Sequence, residues 1–583
     1  MATASSPRLV TARRMVAVAL AIVVVVGAFF VRLVDIQVVR AAELSEESTQ
    51  FRTQTTTLWG SRGDIVDRTG QPLAHNADRY DVTASPMHVG DFRRDGQTVS
   101  VMDALGEVES ITGTPVAQLW QSVSEDPESN FAFLTKDVTT EQYRQLVDLD
   151  IPWMYFERSP NRFYPFGSVA GNLTGIMGTD GPLEGVELKW DECLQAAHGS
   201  LTYQRGADSV KLPGTRTIST PATDGGTVHL TIDSDLQWFV LQQMAKYGQN
   251  LGASSGSAMV IEVDTGDILA AADWPTYDPN NFEEAPQRNL RAAGFSASYE
   301  PGSTLKTMTV AALLDQGLTY SEETHAVPSI VELPGGRYIK NASGGAAGNL
   351  TTAGILSYSS NTGIVELSER MSLSRLEAYY RDFGFGEATS VGFLGEQDGY
   401  VPDADTVDSI TRHTQTFGQG MTSTTAQMAG AYQAIANDGV RLPLRLVSGC
   451  EKDGEFLEAE RGQPVRVVSE QAAKETIRIL ETVPREGTLQ TRVGVPGYRI
   501  AAKTGTAEIA ENGEYGDERM ISIAGMFPAE DPEYVVVVSF VKPQTNRFSY
   551  AAAPAFDAIV TQILAHYRVA PSSQTAGYPP LTW

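Results

Sequence analysis

Cysteine is nearly missing from this sequence: two occur in 583 residues, Cys193 and Cys450. Neither has a second Cys or a His nearby at metal-ligand spacing, which excludes a disulfide scaffold and a zinc site. Two free, buried thiols are the expected state, with a Cys193–Cys450 bridge conceivable only outside the cytoplasm. Basic blocks are also missing beyond the extreme N-terminus, and the formal net charge is -27. Such a chain repels phosphate backbones, so nucleic acid is not an expected partner, and the charge reads as a solvated acidic surface. There is no internal repeat and no long low-complexity tract. With 42% hydrophobic and 20% charged residues, the composition is globular rather than disordered or fibrous. Single cores stop growing at about 250–300 residues, so more than one domain is expected.

One long apolar run is present, Met15 to Val31 (MVAVALAIVVVVGAFFV). It is at the short end for a spanning helix. It has no polar face, unlike a helix of a soluble core. Arg8, Arg13 and Arg14 precede it, and Asp35, Glu43, Glu46 and Glu47 follow. The positive flank stays inside, so residues after about Val34 are expected outside the membrane. No small-x-small cleavage site follows directly, which favours an uncleaved anchor over a signal peptide. The expected order is a cytoplasmic tail at 1–14 and a transmembrane anchor at 15–33.

Residues 34–225 are rich in turns, and Thr215–Thr227 (TRTISTPATDGGT) has the composition of a linker. Val228–Ile232 then reads as a strand and Asp233 as the N-cap of a helix through LQWFVLQQMAKY. Residues 226–570 mix helices and strands in the manner of one large α/β or α+β domain. Pro571–Trp583 reads as a tail.

Three short elements in that second region carry candidate chemistry. The first is Ser303-Thr304-Leu305-Lys306. Pro301-Gly302 breaks the preceding chain, and Leu305, Met308 and Ala312 recur at helical steps until Gly317. Ser303 is therefore predicted in the first turn of a helix. Lys306, three residues on, shares its face and can serve as the base that a serine nucleophile needs. Ser539-Phe540-Val541-Lys542 has the same spacing but ends the strand-like run YVVVVSFV, where i and i+3 face opposite ways. Spacing without helical context therefore carries no weight. The second element is Ser359-Ser360-Asn361, whose first hydroxyl can shuttle a proton and whose carboxamide can hold a substrate carbonyl or Lys306. Ser159-Pro160-Asn161 repeats that spacing and reads as a turn. The third is Lys503-Thr504-Gly505-Thr506, with Tyr498–Ala502 read as a strand running into it and Met520–Phe527 and Tyr534–Val541 as the next two. Lys503 offers a cation and Thr504 and Thr506 hydroxyls for a substrate carboxylate, while side-chain-free Gly505 lets a substrate backbone lie against the strand edge.

In this order the three elements resemble the active-site signature of penicillin-binding proteins and serine β-lactamases. The surroundings narrow the resemblance to class B penicillin-binding proteins. Arg62-Gly63-Asp64-Ile65-Val66-Asp67-Arg68, Arg162-Phe163-Tyr164-Pro165 and Glu184-Gly185-Val186-Glu187 are similar to that class's pedestal motifs. Leu230-Thr231-Ile232-Asp233 with Gln237, Asp264-Thr265-Gly266-Asp267-Ile268-Leu269-Ala270 and Gly418-Gln419-Gly420-Met421-Thr422 are similar to its catalytic-domain motifs. Ala502 and Ala196 stand where glycine is frequent. The resemblance implies a multidomain chain with three parts. These are the transmembrane helix, a mixed α+β elongated pedestal of the dimerisation type (34–225), and a serine β-lactamase-like α/β transpeptidase domain (226–570). That last domain would have an antiparallel sheet flanked by helices, plus an all-helical subdomain.

The implied activity is serine D,D-transpeptidation of peptidoglycan stem peptides. Ser303 is the implied nucleophile and Lys306 its base, with Ser359, Asn361 and Lys503 also catalytic. Thr504, Gly505 and Thr506 would bind substrate, and the backbone N–H groups of Ser303 and Thr506 would form the oxyanion hole. No cofactor or metal is implied. The implied partners are D-Ala-D-Ala donor and amine acceptor stem peptides, β-lactams, the membrane, a membrane glycan polymerase and other division proteins. The stretch FGQGMTSTTAQMAGAYQAIANDG is more similar to division-type than to elongation-type members. A β-lactamase is disfavoured because no Leu-Asn dipeptide occurs to supply its usual second base. A D,D-carboxypeptidase or a non-catalytic scaffold are the other readings.

Overall fold

The computed structural model describes residues 7–159, 161–206, 212, 214–333, 336–342, 346–511, 514–572 and 577–583. Pro160 of the Ser159-Pro160-Asn161 turn, the first six residues of the N-terminal tail, and residues 573–576 lie outside them.

The chain divides into two compact units, one of residues 1–61 with 196–224 and one of residues 62–195 with 225–583. In the first, helix α1 (Pro7–Val34) contains the whole apolar run and continues through a π-turn, Asp35–Val39. Its side chains from Met15 to Val34 stand uncovered, as expected of a helix whose apolar surface meets lipid. Thr53–Leu58 pairs antiparallel with Gly199–Gln204, which pairs in turn with Thr217–Thr220. The Thr/Ser-rich stretch expected to be a linker thus contributes a strand. β-branched Thr and Ile suit a pleated edge whatever their polarity.

The second unit holds three packed regions. A small α+β lobe sets the helices Val101–Thr112, Val116–Ser124 and Thr140–Asp148 against the strands Arg79–Ala84, Ala132–Thr139 and Met154–Arg158. A six-stranded sheet joins distant segments. Thr227–Leu230 pairs parallel with Ile65–Val66 on one side and antiparallel with Val447–Lys452 on the other. The third region is a five-stranded antiparallel sheet of β1 (Ser255–Glu262), β2 (Ile268–Trp274), β3 (Ala501–Glu511), β4 (Glu514–Phe527) and β5 (Tyr534–Val541), in the order β2-β1-β5-β4-β3. Strand alternation divides its apolar side chains between two layers. Val536 and Val538 face α2 (Ser234–Leu251) and the C-terminal helix Ala553–His566, while Val535 and Val537 face a helical layer. That layer contains α3 (Lys306–Asp315), α4 (Asn361–Ser368) and α5 (Thr425–Ala436). All residues of α5 are buried; most are apolar or small, and its two glutamines, Gln427 and Gln433, donate to backbone carbonyls. Asp233 does cap α2, accepting from Leu236 N.

The pedestal-like motifs converge on one buried carboxylate. Glu187 is fully buried and receives Arg62 Nε at 2.7 Å, Arg162 Nε at 2.6 Å and the Tyr164 hydroxyl at 3.2 Å. Asp67 is likewise buried and accepts from the Ser234 hydroxyl at 2.6 Å, tying the Arg62–Arg68 segment to the start of α2.

Two expectations are corrected. Cys193 and Cys450 form a disulfide across a sequence separation of 257. Distance along the chain misleads here because Cys450 lies opposite Val228 in a strand pair, while Gly226 N donates to the Cys193 carbonyl. A Cβ on Gly226 would meet Cys193 Sγ at 3.0 Å, so glycine permits the approach. The last residues are not a free tail. Thr582 bridges Leu350, buried Leu581 accepts from Thr351 N, and Arg485 stacks on Tyr578 at 3.8 Å. Unpaired edge groups at Asn349–Thr351 are satisfied this way.

Replacing Glu187 with Ala leaves the buried Arg162 guanidinium without its anion and Arg62 with Asp191 alone. A loss of about 3–5 kcal/mol in unfolding free energy is expected, readable by denaturant titration.

Candidate active site

The first motif begins in a 3-10 turn, Gly302–Leu305, that leads into α3. Ser303 therefore precedes the α-helix proper, and Lys306 is its first residue. The turn is held by close backbone approaches. Gly302 has φ +57°, and a Cβ there would lie 2.5 Å from the Thr506 carbonyl oxygen. Gly302 N donates to the Gly418 carbonyl at 2.9 Å, and a Cβ on Gly418 would lie 2.2 Å from the Gly302 oxygen. A Cβ on Gly505 would meet the Pro301 oxygen at 2.9 Å and Thr304 Cγ2 at 3.0 Å. The missing side chain at Gly505 thus makes room for Ser522 and for the nucleophile's own turn.

Lys306 and Lys503 are both fully buried. Lys306 Nζ lies 2.7 Å from the Ser359 carbonyl, 3.2 Å from Ser359 Oγ and 2.6 Å from Asn361 Oδ1. Lys503 Nζ lies 3.0 Å from the same Ser359 Oγ and 3.1 Å from the Thr504 carbonyl. One hydroxyl therefore sits between two amines. Burial, followed by the charge of Lys503, pushes Lys306 well below the usual lysine range. Burial brings Lys503 down to about 7. Two adjacent cations in a dry site are disfavoured, and the proton stays on Lys503 in preference to Lys306. A neutral amine at Lys306 is the state a general base requires.

Ser359 holds φ +60°, a left-handed conformation costly for a non-glycine residue. It turns the Ser359 carbonyl onto Lys306. Ser360 is the cap of α4, accepting from Gly363 N, so the middle residue of that motif is structural. Ser303, Ser359, Asn361, Thr504 and Thr506 line one cleft of about 920 Å³. The amine of Lys306 bonds to the second motif rather than to Ser303, and no hydrogen bond of the Ser303 hydroxyl occurs among the described residues. A buried amine requires strong acceptors, and the Ser359 carbonyl and Asn361 amide are stronger than an alcohol that must stay free to react. The control motif behaves as argued. Ser539 lies in the central strand β5 and donates to the Ser257 carbonyl, with Lys542 beyond the strand's end.

The family model described as penicillin binding protein transpeptidase domain matches residues 256–564. The model described as penicillin-binding protein dimerisation domain matches residues 57–230. The penicillin-binding protein PbpB of Mycolicibacterium smegmatis is 33% identical over 97% of this chain and 91% of its own. The chain is a class B penicillin-binding protein. Peptidoglycan D,D-transpeptidase FtsI of Escherichia coli is 30% identical over 94% of this chain and 90% of its own. Penicillin binding protein 3 of Mycobacterium tuberculosis, solved in complex with aztreonam, superposes with a TM-score of 0.68 at 29% identity. It covers 89% of this chain and 98% of that structure. This class B protein is a peptidoglycan D,D-transpeptidase of the penicillin-binding serine enzyme family.

Sequence reasoning missed several residues in and around this penicillin-binding protein's cleft. Asn341 Oδ1 accepts from Asn361 N at 2.6 Å and Thr362 N at 3.1 Å, and from the Ser360 hydroxyl at 3.2 Å, fixing the second motif. Thr488 Oγ1 lies 3.2 Å from Thr504 Oγ1. Glu300 Oε1 accepts from Gly420 N and from the Tyr515 hydroxyl, both at 2.8 Å, joining the first motif to the Gly418–Gly420 segment. None of these belongs to a spaced motif. Only Glu300, three residues before the serine, carried any positional signal. The strand bearing the third motif starts at Ala501 rather than Tyr498, because the backbone before it is turned: Tyr498 N donates to the Val495 carbonyl and Arg499 N to Ser572 Oγ.

Below pH 7 both native and unfolded Lys503 are protonated, and native burial of that charge opposes folding. Between about 7 and 10.5 only the unfolded lysine keeps its proton, so stability rises with pH across that window. Thermal melts of the wild type and Lys503→Met are expected to show the wild type gaining on the variant as pH increases through it.

Proposed function

We propose that Ser303 is the acylated nucleophile of a membrane-anchored transpeptidase acting in septal wall synthesis. One observation carries the catalytic assignment: two fully buried lysines from separate motifs meet at the Ser359 hydroxyl beside the cleft that Ser303 lines. Ser303 Oγ attacks the carbonyl between the terminal D-alanines of a donor stem peptide, and its proton passes to neutral Lys306. The N–H groups of Ser303 and Thr506 receive the developing oxyanion, a contribution for which one donor is typically worth about 100–1,000-fold in rate. The peptide C–N bond breaks, and the proton returns through Ser359 to the departing D-alanine nitrogen. An acceptor amine then attacks the ester carbonyl, gives up its proton by the same route and releases Ser303. Lys503, Thr504 and Thr506 hold the donor's terminal carboxylate, and Asn361 orients Lys306 and the donor backbone. A β-lactam opens on Ser303 by the same attack and stays bound, in keeping with the relative's aztreonam complex.

Helix α1 serves as the single-pass anchor, with residues 1–14 cytoplasmic and the pedestal (34–225) and transpeptidase domain (226–570) outside. The Cys193–Cys450 bond supports that orientation, since disulfides persist in oxidising compartments. The septal assignment rests on the likeness of FGQGMTSTTAQMAGAYQAIANDG to division-type members. It implies contact with a membrane glycan polymerase and other division proteins.

Purified protein is expected to label covalently with fluorescent penicillin, and Ser303→Ala to abolish labelling. Labelling that survives the substitution would assign the nucleophile elsewhere, and an unlabelled wild type would favour a scaffold. The wild-type labelling rate should fall above about pH 7 as Lys503 loses its proton, and Lys503→Arg should remove that basic limb. Cross-linked against hydrolysed product from a synthetic donor separates transpeptidase from carboxypeptidase. Depletion in cells that yields unfinished septa supports the division role, and loss of lateral wall shape refutes it.

A further inference from the structure

Several cations line the active-site cleft, and among the described residues two, Lys340 and Arg492, make no side-chain hydrogen bond or ion pair; of these only Arg492 carries a planar fork of donors. Arg519 is paired with Glu508 at 3.0 Å. Arg547 donates to the Asp517 carbonyl and Gln544 Oε1, and Lys340 rests over its neighbour Tyr338 at 4.5 Å. Arg492 has no side-chain hydrogen bond or ion pair among the described residues, yet it is held in place. Its guanidinium lies 3.7 Å from the centre of the Tyr550 ring, which stacks in turn on Phe548 at 5.5 Å. Arg492, Tyr550 and Phe548 all line the same cleft as Ser303.

The segment that carries Arg492 is fixed to the catalytic strand. Thr488 Oγ1 contacts Thr504 Oγ1, Leu489 is fully buried, Arg492 N donates to the Leu489 carbonyl and Gly494 N to Asp557. Stacking restricts the rotamers of Arg492 while leaving the edge of its fork open, so less entropy is lost when that edge binds. A planar fork with open donors matches a carboxylate in two-point geometry.

We propose that Arg492 is a specificity-determining residue that binds a second carboxylate of the stem peptide, distinct from the terminal one assigned to Lys503, Thr504 and Thr506. The proposal rests on the transpeptidase reading above. The second carboxylate belongs either to the side chain of the donor residue preceding the D-alanines or to the acceptor strand. In either case the enzyme prefers peptides carrying an acidic group at that place over their amides.

The test compares wild type, Arg492→Gln and Arg492→Lys on matched probes. Acylation rates are measured with a benzyl-side-chain penicillin and with its carboxybenzyl counterpart. Turnover is then measured with synthetic donors bearing a carboxylate or a carboxamide on the third side chain, and with acceptor amines with and without an α-carboxylate. Arg492→Gln is expected to lower the rate for the carboxylated member of one substrate pair about tenfold, through KM rather than kcat. The uncharged member should stay within about twofold, and Arg492→Lys should recover part of the loss. Raising ionic strength should narrow the wild-type preference. An effect confined to the donor pair and carboxybenzyl penicillin places the carboxylate on the donor, and one confined to the acceptor pair places it there. Equal losses for both members would show a merely structural arginine, and no loss for any pair would overturn the proposal. Failure of the wild type to react with either penicillin would instead refute the transpeptidase reading itself.

Discussion

Burying two amines side by side is the constraint on which this site depends. A lysine amine in a dry interior needs acceptors for its hydrogens and cannot share its surroundings with a second positive charge. Both demands are met at Ser359. Its backbone carbonyl takes Lys306, its hydroxyl lies between the two nitrogens, and Asn361 supplies the remaining strong acceptor. The left-handed backbone at Ser359 follows from that requirement, because it turns the carbonyl onto the amine. Asn341 then holds the segment by accepting from two successive backbone N–H groups.

The geometry around the amines comes from backbone packing more than from side-chain contacts. Gly302, Gly418 and Gly505 each stand where a single added carbon would collide with backbone or with the neighbouring turn. The 3-10 turn of the nucleophile is thereby wedged between an edge strand and the segment after Phe417. Edge position matters for β3. Among the described residues it pairs only with β4, so its outer side is open to the cleft and to an extended ligand backbone.

Much of this arrangement was legible in the sequence, for identifiable reasons. The continuous β-branched run in YVVVVSFV and the Asp233 cap are local signals, and they correspond to β5 and α2. The motif triplet was legible because catalytic spacing on defined elements is also local. What escaped is long-range. The partners that Lys306 chooses, Ser359 and Asn361, lie at the turn into another helix, and Asn341 contacts the second motif from the segment after the strand Arg337–Lys340. Tyr498 is held out of the strand by a turn in which its N–H donates to the Val495 carbonyl. The disulfide escaped because strand pairing, not sequence distance, decides which residues become neighbours.

That disulfide changes what a break in the chain means. Cys193 belongs to the segment matched by the dimerisation model, and Cys450 to the segment matched by the transpeptidase model. A single backbone cut anywhere between them leaves both pieces in one covalent body. A protease that nicks an exposed loop there does not release the catalytic piece, and the damaged enzyme stays tethered to whatever its N-terminal helix is embedded in.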